Sequence, residues 1–316
     1  MEFLFNIYIF PGILFILTWA VFVFWFFRKI LATLHKRVGP HYNGYAGTMQ
    51  TFYDFSKLLT KESITPKGVN PYLFSSIPLI APMLAIIPVV FIPWMPNFVI
   101  INSSYGVLGL VVLIGIEPFL LFLTGFGSNN KYSFLGGVRI LTQMISMETS
   151  FFLSALSPAL LFSTMNLTEI ADMSSWFSTL ILFPGAMLFF VSILGILEQP
   201  PFNIPDAEQE IVYGFYTEYS GTNYFLLKLA EFAEFLVTFA AMVTLFFGGY
   251  HGLFFDGFIC LFIKMLIFAV LMIAIRASNP RLRLSQMLEF AWSYLVPLSL
   301  LNIVWILYAK QFILGD

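Results

Sequence analysis

Five ionisable residues sit where the surrounding sequence is almost wholly apolar: Glu117, Glu148, Glu231, Glu234 and Lys264. Such a group inside a membrane span costs roughly 2.5–3.5 kcal/mol on insertion scales, so it faces a bundle interior or a wet cavity. Glu231 and Glu234 are three residues apart and so share one helix face. Two carboxyls that close titrate as a coupled pair, which suits a proton relay. A structural hydrogen bond between helices is the plainer reading of any one of them. Five together, with an acidic loop nearby, favour a proton path. That loop, 198–218, carries Glu198, Asp206, Glu208, Glu210 and Glu218 and no Lys or Arg. Pro200, Pro201 and Pro205 stiffen it, and Phe202, Ile204, Ile211, Val212 and Phe215 interleave the acids. This apolar content predicts a loop folded against a cavity at membrane depth rather than a solvated face.

The elements that position these groups follow from composition. Of 316 residues, 59% are hydrophobic and 10% charged, where a soluble domain has about 25% charged. So few charges cannot cover a water-facing surface, and lipid must be the solvent for much of the chain. Backbone polar groups in lipid must be satisfied internally, so the spans are helices; no ten-residue alternation suggests a barrel. The sequence predicts an all-α integral membrane protein, one membrane domain over 1–316. Its eight helical spans fall at about 5–27, 72–95, 105–126, 140–163, 177–197, 225–247, 255–275 and 290–309. The uncharged run 3–27 is long enough to cross the hydrocarbon and reads as a retained first helix rather than a cleaved signal. Pro78, Pro82 and Pro88 predict kinks in the second span.

Eight spans divide the loops into two sets. Arg28, Lys29, Lys36, Arg37, Lys57, Lys61, Lys67, Lys131, Arg139, Arg276, Arg281 and Arg283, twelve of the 15 Lys and Arg, fall in loops 28–71, 127–139, 198–224 and 276–289. The opposite loops carry none, and only Lys310 lies beyond the last span on that side. The positive-inside rule puts the basic, longer loops in the matrix or cytoplasm. Within them, 51–59 has apolar residues at helical spacing, as for a helix lying flat at the interface.

Other chemistry is excluded. A net charge of −2 gives no basic field for nucleic acid. The single cysteine, Cys260, rules out an internal disulfide or a Cys-built iron–sulfur or zinc site. No phosphate-binding loop or dinucleotide fingerprint is present. His35, His41 and His251 lack metal-ligand spacing and are too few for paired haem ligation.

Four stretches together resemble one family, subunit 1 (also called H) of complex I, the NADH–quinone oxidoreductase. The first is Arg37-Val-Gly-Pro40 with Gly47, Gln50, Asp54, Lys57, Lys61-Glu62 and Pro66. The second runs from Gly125 to Arg139 and on through Gln143 to Glu148. The third is Pro201-Phe-Asn-Ile-Pro-Asp-Ala-Glu-Gln-Glu-Ile211, then Glu218-Tyr-Ser-Gly221 and Ala230-Glu231. The fourth is Ile275-Arg-Ala277, Pro280-Arg-Leu-Arg283, Gln286 and Trp292. They cover most of the chain in the family's order and spacing. The chain departs from the family pattern at Phe27, His41, Met147, Glu198, Gln199, Asn203 and Ser285.

The resemblance implies the membrane half of a chamber that admits quinone, as substrate, from the bilayer. NAD, FMN and iron–sulfur clusters would belong to partner subunits only. Implied partners are peripheral iron–sulfur and quinone-site subunits, antiporter-like and small membrane subunits, and lipid, but no nucleic acid. Arg37, Asp54, Phe202, Glu208, Glu210, Arg276, Arg281 and Arg283 are the implied chamber residues; Glu148, Glu218, Glu231 and Lys264 join the implied proton path. Glu117 and Glu234 match no family motif. The implied location is the inner mitochondrial membrane, with a bacterial or archaeal plasma membrane or a thylakoid as alternatives. A related F420H2 dehydrogenase or membrane-bound hydrogenase subunit is the nearest competing reading. A stand-alone channel or transporter would predict inverted repeats, and the sequence has none.

Overall fold

The computed structural model describes residues 12–96, 98–205, 212–252 and 256–314. Glu208 and Glu210 lie outside the described residues, as do residues 5–11 of the first expected span. The described chain forms eight helices long and apolar enough to cross a membrane. In order, the helices are α1 (Ile13–Leu34), α2 (Thr48–Thr60), α3 (Pro71–Ile86), α4 (Gly106–Gly127), α5 (Lys131–Phe162), α6 (Leu167–Met173), α7 (Trp176–Ile196), α8 (Gly221–Phe246), α9 (Phe258–Ser278), α10 (Leu284–Phe290) and α11 (Val296–Leu314). A π-helical turn, Ala291–Leu295, joins α10 and α11 into one span. α3 passes at Pro88 into a 3-10 stretch, Ile87–Phe91, because proline cannot supply the next helical N–H.

Two helix ends lie well beyond the sequence expectation. α1 runs on through Arg28 and Lys29 to Leu34: charge ends an apolar window but not a helix. α5 begins at Lys131, not near 140, and is 32 residues long. Asn130 caps it by accepting the Tyr132 N–H on its side-chain oxygen at 3.0 Å. The expected loop 127–139 thus shrinks to three residues between α4 and α5. Glycines let these two helices meet: a Cβ on Gly125 would lie 2.6 Å from the Ser133 carbonyl oxygen.

α8 is the hub. It packs against α1, α2, α3, α7 and α9, and every residue from Phe232 to Phe246 is buried. A helix that is apolar nearly all round belongs inside a bundle, and α8 carries charge only at Lys228, Glu231 and Glu234. α5 forms a second core with α4, α7 and α11. Helix alternation gathers 35–70, 128–130, 197–205, 212–220 and 279–283 at one end of the bundle, the basic end, and 163–166, 174–175, 247–252 and 256–257 at the other. At the basic end α8 begins on Gly221, whose φ of +58° favours glycine. There Ser220 Oγ accepts the Ile64 N–H at 3.1 Å and ties the start of α8 to the segment after α2.

Candidate functional site

A cavity of about 910 Å³ opens at the basic end. The second half of α1 supplies Phe24, Phe27 and Arg28; α2 supplies Asp54, Phe55 and Lys57; α8 supplies Tyr224, Lys228, Glu231, Phe232 and Phe235. The wall is closed by 198–200, Asn203, Tyr213, Tyr216, Arg276 and Arg281. Its surface is therefore aromatic, punctuated by charges, several of them held by a polar partner.

Each pair has a structural cause. Arg28, at the end of the apolar part of α1, reaches Asp54 on α2 at 2.5 Å and lies 3.8 Å over the Phe24 ring. Gln50, one turn before Asp54, donates to its other oxygen at 3.0 Å. Lys228 and Glu231 are one turn apart on α8 and pair at 2.7 Å. The Lys228 ammonium is 4.3 Å from the Tyr216 ring centre, and the Tyr213 and Tyr224 hydroxyls meet at 2.9 Å. Arg276 donates to Gln199 at 2.8 Å. The Leu282 N–H binds the Pro201 carbonyl at 3.0 Å, which joins the acidic loop to the segment after α9.

Behind this wall lie two further carboxyls. Glu234, one turn beyond Glu231, is 4% exposed, and Glu117 on α4 is 2% exposed. Oε1 of each is buried with no hydrogen-bond partner among the described residues. Glu117, Glu234 and Glu231 are within electrostatic reach of one another, and Glu198 acts on Glu117. Glu231 thus stands on the cavity wall, and Glu234 and Glu117 are buried in the bundle beyond it. Glu148 is half-buried on α5, its carboxyl filling the gap left by Gly115, where a Cβ would lie 2.1 Å from Oε1.

The remaining sequence candidates fall elsewhere. Asp54, Glu231, Arg276 and Arg281 line the cavity; Arg37, Phe202 and Arg283 do not. Arg37 and Arg283 are exposed. Phe202 is buried and stacked on Phe290 at 6.0 Å, anchoring the acidic loop. Glu218 accepts from Asn130 at 2.5 Å and holds that loop to the start of α5. Lys264 stands at the opposite end of the bundle, donating to the carbonyls of Phe247 (2.6 Å), Gly249 (3.0 Å) and His251 (2.5 Å).

Sequence reasoning missed Lys228, although a lysine one turn before Glu231 was a readable signal. It also missed a polar network at the far end. There His251 lies between Asp172 at 3.0 Å and Asp256 at 3.4 Å, and Tyr250 donates its hydroxyl to Asp172. The Gly252 N–H, followed by His251, holds the Asp256 carboxyl below the usual aspartate range. Burial pushes the Tyr250 hydroxyl up, and does the same for Tyr219 in the loop before α8.

A family model described as NADH dehydrogenase matches residues 7–307. The chain belongs to the NADH dehydrogenase subunit 1 family. As a complex I subunit 1, it is an integral membrane component of a multi-subunit redox complex. In this complex I subunit the cavity faces the end where the basic loops gather, and its two ion pairs come from α1, α2 and α8.

Proposed function

We propose that this subunit forms the membrane half of a quinone chamber and the first part of a proton-coupling path in a proton-pumping NADH:ubiquinone reductase of the inner mitochondrial membrane. The observation that carries the reading is the aromatic cavity of about 910 Å³, backed by the buried acids Glu234 and Glu117. Ligand pockets run to about 300–1,000 Å³ and are mainly apolar with a few fixed polar groups; a quinone ring with part of its tail suits that volume and lining. Phe24, Phe55, Tyr216 and Phe232 offer ring faces, while Arg28, Lys228 and Arg276 offer donors to ring oxygens. The electrons come from cofactors held by partner subunits.

The coupling logic is electrostatic. Reduction of a quinone changes the charge and proton demand of the chamber, and carboxyls in low dielectric respond by changing their proton occupancy. Glu231 is the acid that feels the chamber directly; Glu234 and Glu117 carry its response inward. Glu148, Glu208, Glu210 and Glu218 are proposed as further members of the acidic route and Lys264 as a distal one. Arg37, Phe202, Arg281 and Arg283 are proposed to shape or face the chamber in the assembled complex.

The test uses the purified complex. An azidoquinone photolabel should modify peptides within 213–235 and be displaced by excess quinone. Glu234→Gln should retain quinone reduction while lowering the protons pumped per electron pair. Labelling confined to other subunits would remove the chamber from this chain, and unchanged pumping in Glu234→Gln would remove the inner acids from the path.

A further inference from the structure

At the end of the bundle opposite the basic loops, a second cavity of about 440 Å³ opens between the start of α7, the end of α8 and the first half of α9. Its volume falls within the roughly 300–1,000 Å³ of ligand sites. Its walls are graded by depth. Ser174, Ser175 and Gly252 stand at the mouth, outside the helices. Ile267 and Phe268 lie farthest along α9, about 15 Å beyond its start at 1.5 Å per residue. Trp176 is 69% exposed and Ile267 54% exposed, so the slot opens sideways, toward hydrocarbon, as well as toward water. A tryptophan opening a membrane-crossing helix sits at headgroup level.

Lys264 lines this slot from α9. Its stem turns back toward the interface, as long cationic side chains do. The bonds it donates to the carbonyls of Phe247, Gly249 and His251 use all three ammonium hydrogens. The nitrogen is therefore a full charge held near headgroup depth by neutral partners. Among the described residues no carboxylate stands within ion-pair distance of it. The acids at this end are engaged elsewhere. Asp172 takes His251 at 3.0 Å and the Tyr250 hydroxyl; Asp256 takes the Gly252 N–H at 2.9 Å and His251 at 3.4 Å, and acts on Lys264 only from farther off. Charge reaches far where water is scarce. An anion at the mouth of the slot thus meets a cation with no anion of its own, and no carbonyl has to leave.

We propose that this slot is a phospholipid-binding site, in which one acyl chain lies against Trp176, Ile267 and Phe268 and the phosphodiester stands at Lys264. The order of the lining matches the order of the ligand: charge and hydroxyls at headgroup level, rings and branched carbons below. Asp172 and Asp256, both exposed at the same end, disfavour a second negative charge, so the ligand class is a diacyl lipid with a single phosphate. The site lies at the opposite end of the bundle from the proposed quinone chamber and does not depend on that reading.

The experiment places the purified complex in phosphatidylcholine vesicles with one of two photoreactive probes: phosphatidylcholine bearing a diazirine on one acyl chain, and diacylglycerol with the same chains and no phosphate. Labelled peptides are read by mass spectrometry. The phosphatidylcholine probe should label 176–179 and 260–268 and saturate there as its fraction in the vesicle rises. The diacylglycerol probe should label them about tenfold less, the loss expected when a bond to a charged group is missing. Ile267→Trp fills the slot from its lipid-facing side and should abolish the saturable labelling. Lys264→Met should bring the phosphatidylcholine probe down to the diacylglycerol level and leave diacylglycerol labelling within twofold; if that variant does not assemble, the two probes and Ile267→Trp still decide the matter. Labelling that rises only in proportion to probe, as for passing bilayer lipid, overturns the proposal. So do equal labelling by the two probes, undiminished labelling in Ile267→Trp, and no labelling of 176–179 at all.

Discussion

Gly136→Ala adds one methyl group where α5 presses against the turn that carries the cavity tyrosines. A Cβ on Gly136 would lie 2.8 Å from the Phe215 nitrogen and 3.0 Å from the Gly214 Cα. Comfortable separations for such atoms are about 3.5–4.0 Å, so helix or turn must give by roughly 0.5–1 Å. The obstructing atoms are backbone, so no side-chain rotation relieves them, and the Ser133 hydroxyl bond to the Phe215 carbonyl at 3.1 Å pins the same contact. Overpacking of this kind costs about 1–3 kcal/mol, offset by about 0.5–1 kcal/mol from removing a helical glycine. The larger effect falls on the site, because Tyr213 and Tyr216 move with the turn. A 1 Å misplacement is able to cost about 10²-fold in a positioned reaction, so a shift of half that size should raise the KM for quinone about tenfold. The assay is steady-state quinone reduction by the purified complex, with thermal unfolding followed in parallel. Gly106→Ala is the control: its Cβ would meet Leu167 at an ordinary 3.6 Å, and both readouts should stay near those of the unaltered complex. An unaltered KM in Gly136→Ala would show that the tyrosine turn does not set the cavity's geometry.

Two further outcomes are expected at the opposite end of the bundle. Lys264→Met strands three carbonyls now bound at 2.5–3.0 Å; it should cost roughly 2 kcal/mol and speed hydrogen exchange across 247–252, and undiminished protection there would refute the capping role. Asp256, whose carboxyl is held below its ordinary range first by the Gly252 N–H, stabilises its loop above the ordinary aspartate range and loses that effect as pH falls through its lowered value. Protection of the Gly252 amide, its exchange rate relative to the intrinsic rate at each pH, should therefore hold through the ordinary aspartate range and fall only below it, with the transition abolished in Asp256→Asn; protection that does not change with pH in the unaltered chain would contradict this.

The eight spans were legible because an apolar stretch of twenty residues has few other uses in a chain so poor in charge. What hydropathy misplaced were ends with charged residues inside helices: Arg28 and Lys29 in α1, Lys131 and Arg139 in α5. Hydropathy averages over a window, whereas a helix stops only where its caps and backbone angles stop it, as Asn130 shows. In the cavity, Glu231 could be named beforehand because charge in an apolar stretch is conspicuous, whereas Asp54, Arg276 and Arg281 came from the family resemblance. The three tyrosines could not, since Tyr213 and Tyr216 reach Tyr224 only through the turn that Gly136 admits. Glu117 and Glu234 were visible as isolated acids, but their meeting is a property of how α4 and α8 cross, which no spacing along one chain segment encodes.

α8 is walled in by protein along nearly all of its membrane-crossing length, and close-packed interiors are hard to compress. Lipid cannot cushion it. Neighbouring helices, not acyl chains, therefore set where α8 stands, from the end bearing Lys228 and Glu231 to the carbonyl of Phe247 that Lys264 grips just past the last turn.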